Sequence, residues 1–183
     1  MPNNIRQQPM WIDTGDPETV NMATLQEPGQ LGGRVTIKQK TSDVPGVEAG
    51  RAKTYQLVQT DSTMVTAPYK GAAAQWSDEK RYLVTTAVTN RNRPAGVFQN
   101  AITPGNYGFI QIEGPASCKI VDGSMAALAV GDAVIVSATT AKYDRVAVGT
   151  APTHVVVGWV AGPLTTTPAE ALVVADLCVP NVP

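Results

Sequence analysis

Aromatic residues are scarce in this sequence, at 5%, and charged residues make up only 16%. Soluble domains usually carry ~25% charge, so the shortfall points to surface that a partner covers. The formal net charge is −1. General binding to nucleic acid would need a basic face, and that balance argues against one. A lone histidine, His154, opens an apolar run. A Ser-His-Asp triad would have to use it, yet the sequence has no Gly-x-Ser-x-Gly elbow. Two cysteines, Cys118 and Cys178, sit in strand-like apolar runs at a spacing that fits no zinc motif. They read as reduced core thiols; whether their Cα atoms come within the ~7 Å that a disulfide needs is left to the fold. Apolar runs such as Val155–Ala161 are far too short to span a bilayer. Residues 1–6 carry no apolar signal core. These absences lead us to expect a soluble chain made in the cytoplasm, with no cofactor, no metal, no membrane and no catalytic centre.

Valine, threonine, alanine, glycine and proline dominate what is present. Val and Thr are stiff at χ1 and favour strands, while frequent Gly and Pro cut the chain into short segments. Arg34–Lys38 alternates cleanly, with Val35 and Ile37 on one face. Further strands are expected at Thr54–Val58, Met64–Ala67, Tyr82–Val88, Gly96–Phe98, Tyr107–Ile112, Ser117–Val121, within Val130–Val136 after a Gly131-Asp132 turn, and at Tyr143–Val148, His154–Val160 and Ala171–Val179. Tyr69–Ser77, with Gly71 followed by three alanines, reads as a loop or a brief helical turn. Thr167-Pro-Ala-Glu170 fits a capping box, but the adjacent Val173 and Val174 favour a strand there. Short strands at ~8–12-residue spacing with turns between them indicate a sandwich or barrel. The fold class expected is therefore all-β, a small β-barrel or sandwich-like domain over 34–183, preceded by an extended N-terminal arm over 1–33.

That arm holds Pro2, Pro9, Pro17 and Pro28 with several glycines and no sustained period. It also holds Met10, Trp11 and Ile12, which a purely disordered tail would lack. These three form a candidate partner-binding segment, docking on a neighbouring subunit or strapping their own domain. Arg91 and Arg93, flanking Asn92 in a loop, are candidate contacts for an acidic patch on a partner, or simply a solvated turn.

Other motifs carry less. Ser77-x-x-Lys80 matches the nucleophile motif of penicillin-recognising enzymes without its companion motifs. Asp13, Asp16 and Glu18 group three carboxylates of the kind that hard cations prefer, but at a spacing unlike a calcium loop. Gly29, Gly32 and Gly33 form no phosphate-binding fingerprint. Trp159, between Gly158 and Val160, reads as a core residue.

The run Ala95-Gly-Val-Phe-Gln-Asn-Ala-Ile-Thr-Pro-Gly-Asn-Tyr-Gly-Phe-Ile-Gln-Ile112 resembles segments of the capsid decoration (cement) proteins of tailed bacteriophages. So does the later order of a Val130-Gly-Asp132 turn, a Val134–Val136 strand, a Val155–Gly158 strand and a terminal Ala171–Val174 strand. The resemblance covers about 95–179. It implies a β-barrel-like body on the capsid exterior, made in the host cytoplasm, with the major capsid protein as partner. It also implies a homo-oligomer, with a trimer preferred. Two alternatives stay open: another virion β-protein, such as a tail tube, head-tail or fibre component, and a β-barrel enzyme or carbohydrate-binding domain.

Overall fold

The computed structural model describes residues 16–25, 30–38, 52–121, 128–161 and 172–179. Met10, Trp11 and Ile12 lie outside the described residues. Ten strands follow in chain order: β1 (Arg34–Lys38), β2 (Ala52–Thr60), β3 (Ala73–Asp78), β4 (Leu83–Thr85), β5 (Pro94–Phe98), β6 (Tyr107–Lys119), β7 (Ala133–Val136), β8 (Tyr143–Val146), β9 (Val156–Val160) and β10 (Leu172–Cys178). They hydrogen-bond in the order β1-β2-β4-β3-β5-β6-β10-β9-β7-β8, and β2 also pairs with β6. That extra pairing closes β2, β4, β3, β5 and β6 into a five-stranded barrel. The fold is all-β, as the strand spacing predicts, with the remaining strands added to the barrel as an edge and a lobe.

The barrel interior is filled by Val58, Ala74, Trp76, Val84, Phe98 and Ile110. Thr60 helps seal it, because its buried hydroxyl lies 3.0 Å from the Thr103 carbonyl and 2.9 Å from that of Asn106. The second lobe consists of the C-terminal half of β6 with β10, β9, β7 and β8. Its core joins Ala116, Cys118, Val134, Val136, Tyr143 and Val160 to Ala73 and Val97 on the barrel wall. A buried hydrogen bond from the Tyr143 hydroxyl to the Gly96 carbonyl, 2.7 Å long, ties lobe to barrel.

Strand β6 belongs to both bodies, and its middle shows how. Thr54 of β2 pairs with Glu113, yet Tyr55 pairs with Gln111, so Ile112 is the extra residue of a bulge. One inserted residue shifts the alternation by one. Ile110 thus points into the barrel, while Ala116 and Cys118 meet the outward-facing Val97 in the lobe core. Gly114 follows at φ +84, and a Cβ there would lie 2.2 Å from the Ala52 carbonyl oxygen. Only glycine fits so close to the neighbouring backbone in that left-handed conformation. The fully buried Gln111 spans the bend, its Nε2 donating to the carbonyls of Glu113 and Pro115 at 3.1 and 2.9 Å.

Sequence expectations differ from this structure in places. Tyr107–Ile112 and Ser117–Val121, expected as two strands, form one: β6 runs through Gly114 and Pro115, because the bulge and glycine bend it without breaking its pairing to β10. Tyr69–Ser77, expected as loop or helical turn, contains β3 from Ala73. Its alanines are fully buried, Ala73 in the lobe core and Ala72 and Ala74 in the barrel core. Met64–Ala67 forms no strand; Asp61 instead holds a turn by accepting from the Thr63 amide and hydroxyl at 2.8 and 2.7 Å. Residues 172–178 are a strand, as Val173 and Val174 favour.

Part of the segment expected as an arm lies on the barrel. Val20, Met22 and Leu25 cover a third apolar cluster of Val35, Tyr55, Leu57 and Phe109. Met22 and Tyr107 exchange backbone hydrogen bonds at 2.9 and 2.8 Å. Asp16 accepts from the Glu18 amide and starts a short turn, Pro17–Thr19. Oε1 of Glu18 then takes hydrogen bonds from the Lys53 ammonium (2.9 Å) and the Tyr55 hydroxyl (2.6 Å). Residues 16–25 are thus a strap on their own domain.

Burial alone would push the Glu18 pKa up, but the bonds from Tyr55 and Lys53 and the nearby positive charge outweigh it and hold the carboxyl below its ordinary value. A depressed carboxyl stabilises the fold above its unfolded-state pKa and loses that contribution as pH falls through the folded value. Glu18→Gln should therefore cost about 1–3 kcal/mol at neutral pH. The gap to wild type should close as pH drops below the carboxylate range. Urea unfolding at pH 7 and at acid pH measures both.

Candidate interaction surface

The outer end of the second lobe is built around one carboxylate. Asp132 follows Gly131, whose φ of +90 makes the turn into β7. The Asp132 side chain is only 3% exposed. Its Oδ2 accepts from the Ala129 amide (2.9 Å) and from Arg145 Nη1 (3.1 Å), and its Oδ1 accepts from the Val148 amide (3.2 Å). Burial opposes ionisation here; the two amides and the Arg145 guanidinium overcome it and keep the pKa below the ordinary carboxylate value. One side chain thus fastens two turns, 129–132 and 147–150, to each other.

Those turns present apolar side chains to solvent. Val130 is 66% exposed and Val148 is 72% exposed. Val148 Cγ2 lies 3.6 Å from the place a Gly131 Cβ would occupy, so the two valines flank the same turn. Trp159 of β9 stands opposite Ala133 of β7, which stands opposite Val146 of β8, forming a cross-strand row. Trp159 is 50% exposed, against the expectation that it packs in the core. The reason is a second bulge: Val134 pairs with Gly158 and Ile135 with Val156, leaving Val157 as the extra residue. Val157 and Val160 then fill the lobe core and Trp159 is turned outward. Alternation counted from Val157 puts Trp159 inside and alternation counted from Val160 puts it outside, and only the bulge decides between them.

Of the other candidates, Arg91 and Arg93 are both described. Arg91 Nε donates to the Val136 carbonyl at 3.3 Å, joining its loop to the second lobe. Arg93 pairs with Glu79 at 3.3 Å and keeps a side chain 49% exposed. They share a loop but lie apart from the Asp132-held turns in the hydrogen-bonding pattern. His154 has Thr153, its neighbour in sequence, as its hydrogen-bond partner. The Ser77 hydroxyl is given to Asp61 at 3.0 Å rather than to Lys80. Of the three grouped carboxylates, Asp13 lies outside the described residues, and Asp16 and Glu18 serve the strap. Cys118 is a free, buried thiol whose pKa burial pushes far up. Cys118 pairs with Val173 while Cys178 pairs with Glu113. Five residues of strand therefore separate them, ~16 Å at the usual rise, beyond disulfide reach. Among the described residues, no helix is long and apolar enough to cross a membrane.

Asp132→Asn would set an amide NH₂ against a backbone N–H and remove the charge facing Arg145. Leaving such a group mispaired costs about 1–3 kcal/mol. The expected outcome is that loss in chemical denaturation, with hydrogen exchange faster at the Ala129 and Val148 amides. Compared with known protein families, curated proteins and solved structures, the chain matches none of them.

Proposed function

We propose that this chain is a structural virion protein that binds the outer surface of a tailed-phage capsid and cements the shell. The observation that carries the reading is the apolar surface of Trp159, Val130 and Val148, held rigid by the Asp132 clamp. Cementing asks for a stiff body and a docking surface rather than for chemistry. Closure of the barrel supports the first requirement, because it leaves few free strand edges to aggregate. Three large apolar side chains exposed on one lobe support the second, since exposed apolar surface of this kind is common at interaction sites. Tryptophan is also enriched among the residues that dominate interface energies. The resemblance of 95–179 to decoration proteins agrees, and most of that stretch forms β5 through β10.

In this reading the major capsid protein is the partner, the chain acts as a homo-oligomer, preferably a trimer, on the capsid exterior, and 1–15 with Met10, Trp11 and Ile12 adds a second contact. Oligomers engage a repeating lattice at several points at once, so modest contacts gain strength through avidity.

Trp159→Ala combined with Val148→Asp should leave the β body folded by circular dichroism. It should weaken binding to preassembled undecorated shells at least tenfold in co-sedimentation. Unchanged shell binding by the folded variant would remove this surface from the interface.

A further inference from the structure

The barrel carries a cleft between the turn after β2 and the segment after β4. Its volume is about 380 Å³, and its walls include Asp61, Thr63, Ser77, Thr85 and Thr86. Thr85 and Thr86 are buried and form the floor. Met64, Val65, Ala87 and Val88 add apolar surface, and Val65 stands fully exposed at the rim.

The direction of the hydrogen bonds decides what such a cleft can take. Thr63 and Ser77 donate their hydroxyl protons to Asp61 Oδ1 and Oδ2, at 2.7 and 3.0 Å. Thr86 donates its proton to the Thr66 carbonyl at 2.7 Å. A hydroxyl whose proton is spent inside the protein offers only lone pairs to a ligand. The remaining charge is that of Asp61. The Thr63 amide and hydroxyl bonds, reinforced by Ser77, hold its pKa below the ordinary value against slight burial. The lining includes neither lysine, arginine, histidine nor an aromatic ring. The walls thus present the Asp61 charge, the lone pairs of Thr63, Ser77 and Thr86, a Thr85 hydroxyl that accepts from the Ala87 amide at 3.2 Å and keeps its proton, and an apolar rim.

An anion would meet no positive group here, and a sugar would find no ring to stack on. A hard metal ion prefers several carboxylate oxygens, and one carboxylate stands here. We propose that this cleft is a binding site for an organic cation, a primary ammonium or guanidinium group on an alkyl stem. The charged head meets Asp61 and the hydroxyl lone pairs, and the stem lies along Met64, Val65 and Val88, as the methylenes of Lys and Arg commonly lie on apolar surface. The cation can be a free amine or the side chain of a partner protein. The site stands apart from the Trp159 surface and does not depend on the capsid reading.

The test uses the full chain in a ¹⁵N NMR titration with three probes: agmatine, the blocked tripeptide acetyl-Gly-Arg-Gly-amide, and its neutral citrulline counterpart. The expected result is saturable shifts at the amides of Thr63, Ser77 and Ala87 with agmatine, and affinity at least tenfold weaker in Asp61→Asn. Val65→Arg, a change at a fully exposed position, should block the cleft from within and abolish the same shifts in a protein of unchanged melting temperature. Binding of both agmatine and the arginine peptide supports a partner's side chain as the natural ligand; agmatine alone supports a small amine. Absence of saturable shifts with either cation, equal binding of the citrulline peptide, or undiminished binding in both variants would overturn the proposal.

Discussion

Everything in this fold depends on the passage of β6 from one body to the other at Gly114. The strand's first half closes the barrel against β2 and β5, and its second half carries β10 and, through it, the rest of the lobe. The lobe core lies against the outer wall of the barrel, so β6 must change which side chains it offers midway. The bulge at Ile112 makes that change, and the left-handed Gly114 beneath the Ala52 carbonyl lets the strand turn away from β2. Gln111 satisfies the carbonyls that the bend would otherwise strand in the interior. Without that passage the barrel would have no lobe, and neither the Asp132 clamp nor the exposed tryptophan would be placed.

The architecture also explains why polar residues are buried at the joints and apolar ones exposed at the tip. Thr60, Gln111 and Tyr143 each spend a side-chain hydrogen bond on a backbone carbonyl at a place where a strand bends or two bodies meet. Asp132 does the same for amides, at the lobe's end. Such contacts fix geometry more than they add stability, since a buried hydrogen bond contributes only about 1 kcal/mol net. A body fixed in this way can present Val130, Val148 and Trp159 without ordering them anew when a partner arrives, which lowers the entropic cost of binding.

Much of the fold was legible in the sequence. Val- and Thr-rich runs between Gly and Pro marked β1, β2, β5, β7, β8, β9 and β10, since period-two alternation and turn residues are local properties. What escaped was non-local. The burial of Ala72–Ala74 depends on two cores meeting at β3, so an alanine run looked like a loop. Trp159, between Gly158 and Val160 in an apolar strand, reads as core, and the bulge at Val157 that turns it outward leaves no mark in composition. The Asp132 turn was visible as Val-Gly-Asp, but its bond to Val148 spans 16 residues. Likewise Ser77 suggested a nucleophile motif with Lys80, while its actual partner, Asp61, lies on the far side of a turn. Arg91 was legible as a loop cation, yet nothing local announced its bond to Val136.

The most direct test of the shared-strand account is the unfolding of Gly114→Ala. A non-glycine residue held at such a positive φ costs about 1–3 kcal/mol, and the added Cβ must also displace the Ala52 backbone. At least that loss is expected in urea unfolding, with tryptophan fluorescence, to which Trp76 in the barrel and Trp159 in the lobe contribute beside Trp11, and far-UV circular dichroism both moving to one lower midpoint. A stability within about 0.5 kcal/mol of wild type, the range of ordinary surface substitutions, would contradict it. So would a variant in which the lobe unfolds while the barrel keeps its original midpoint.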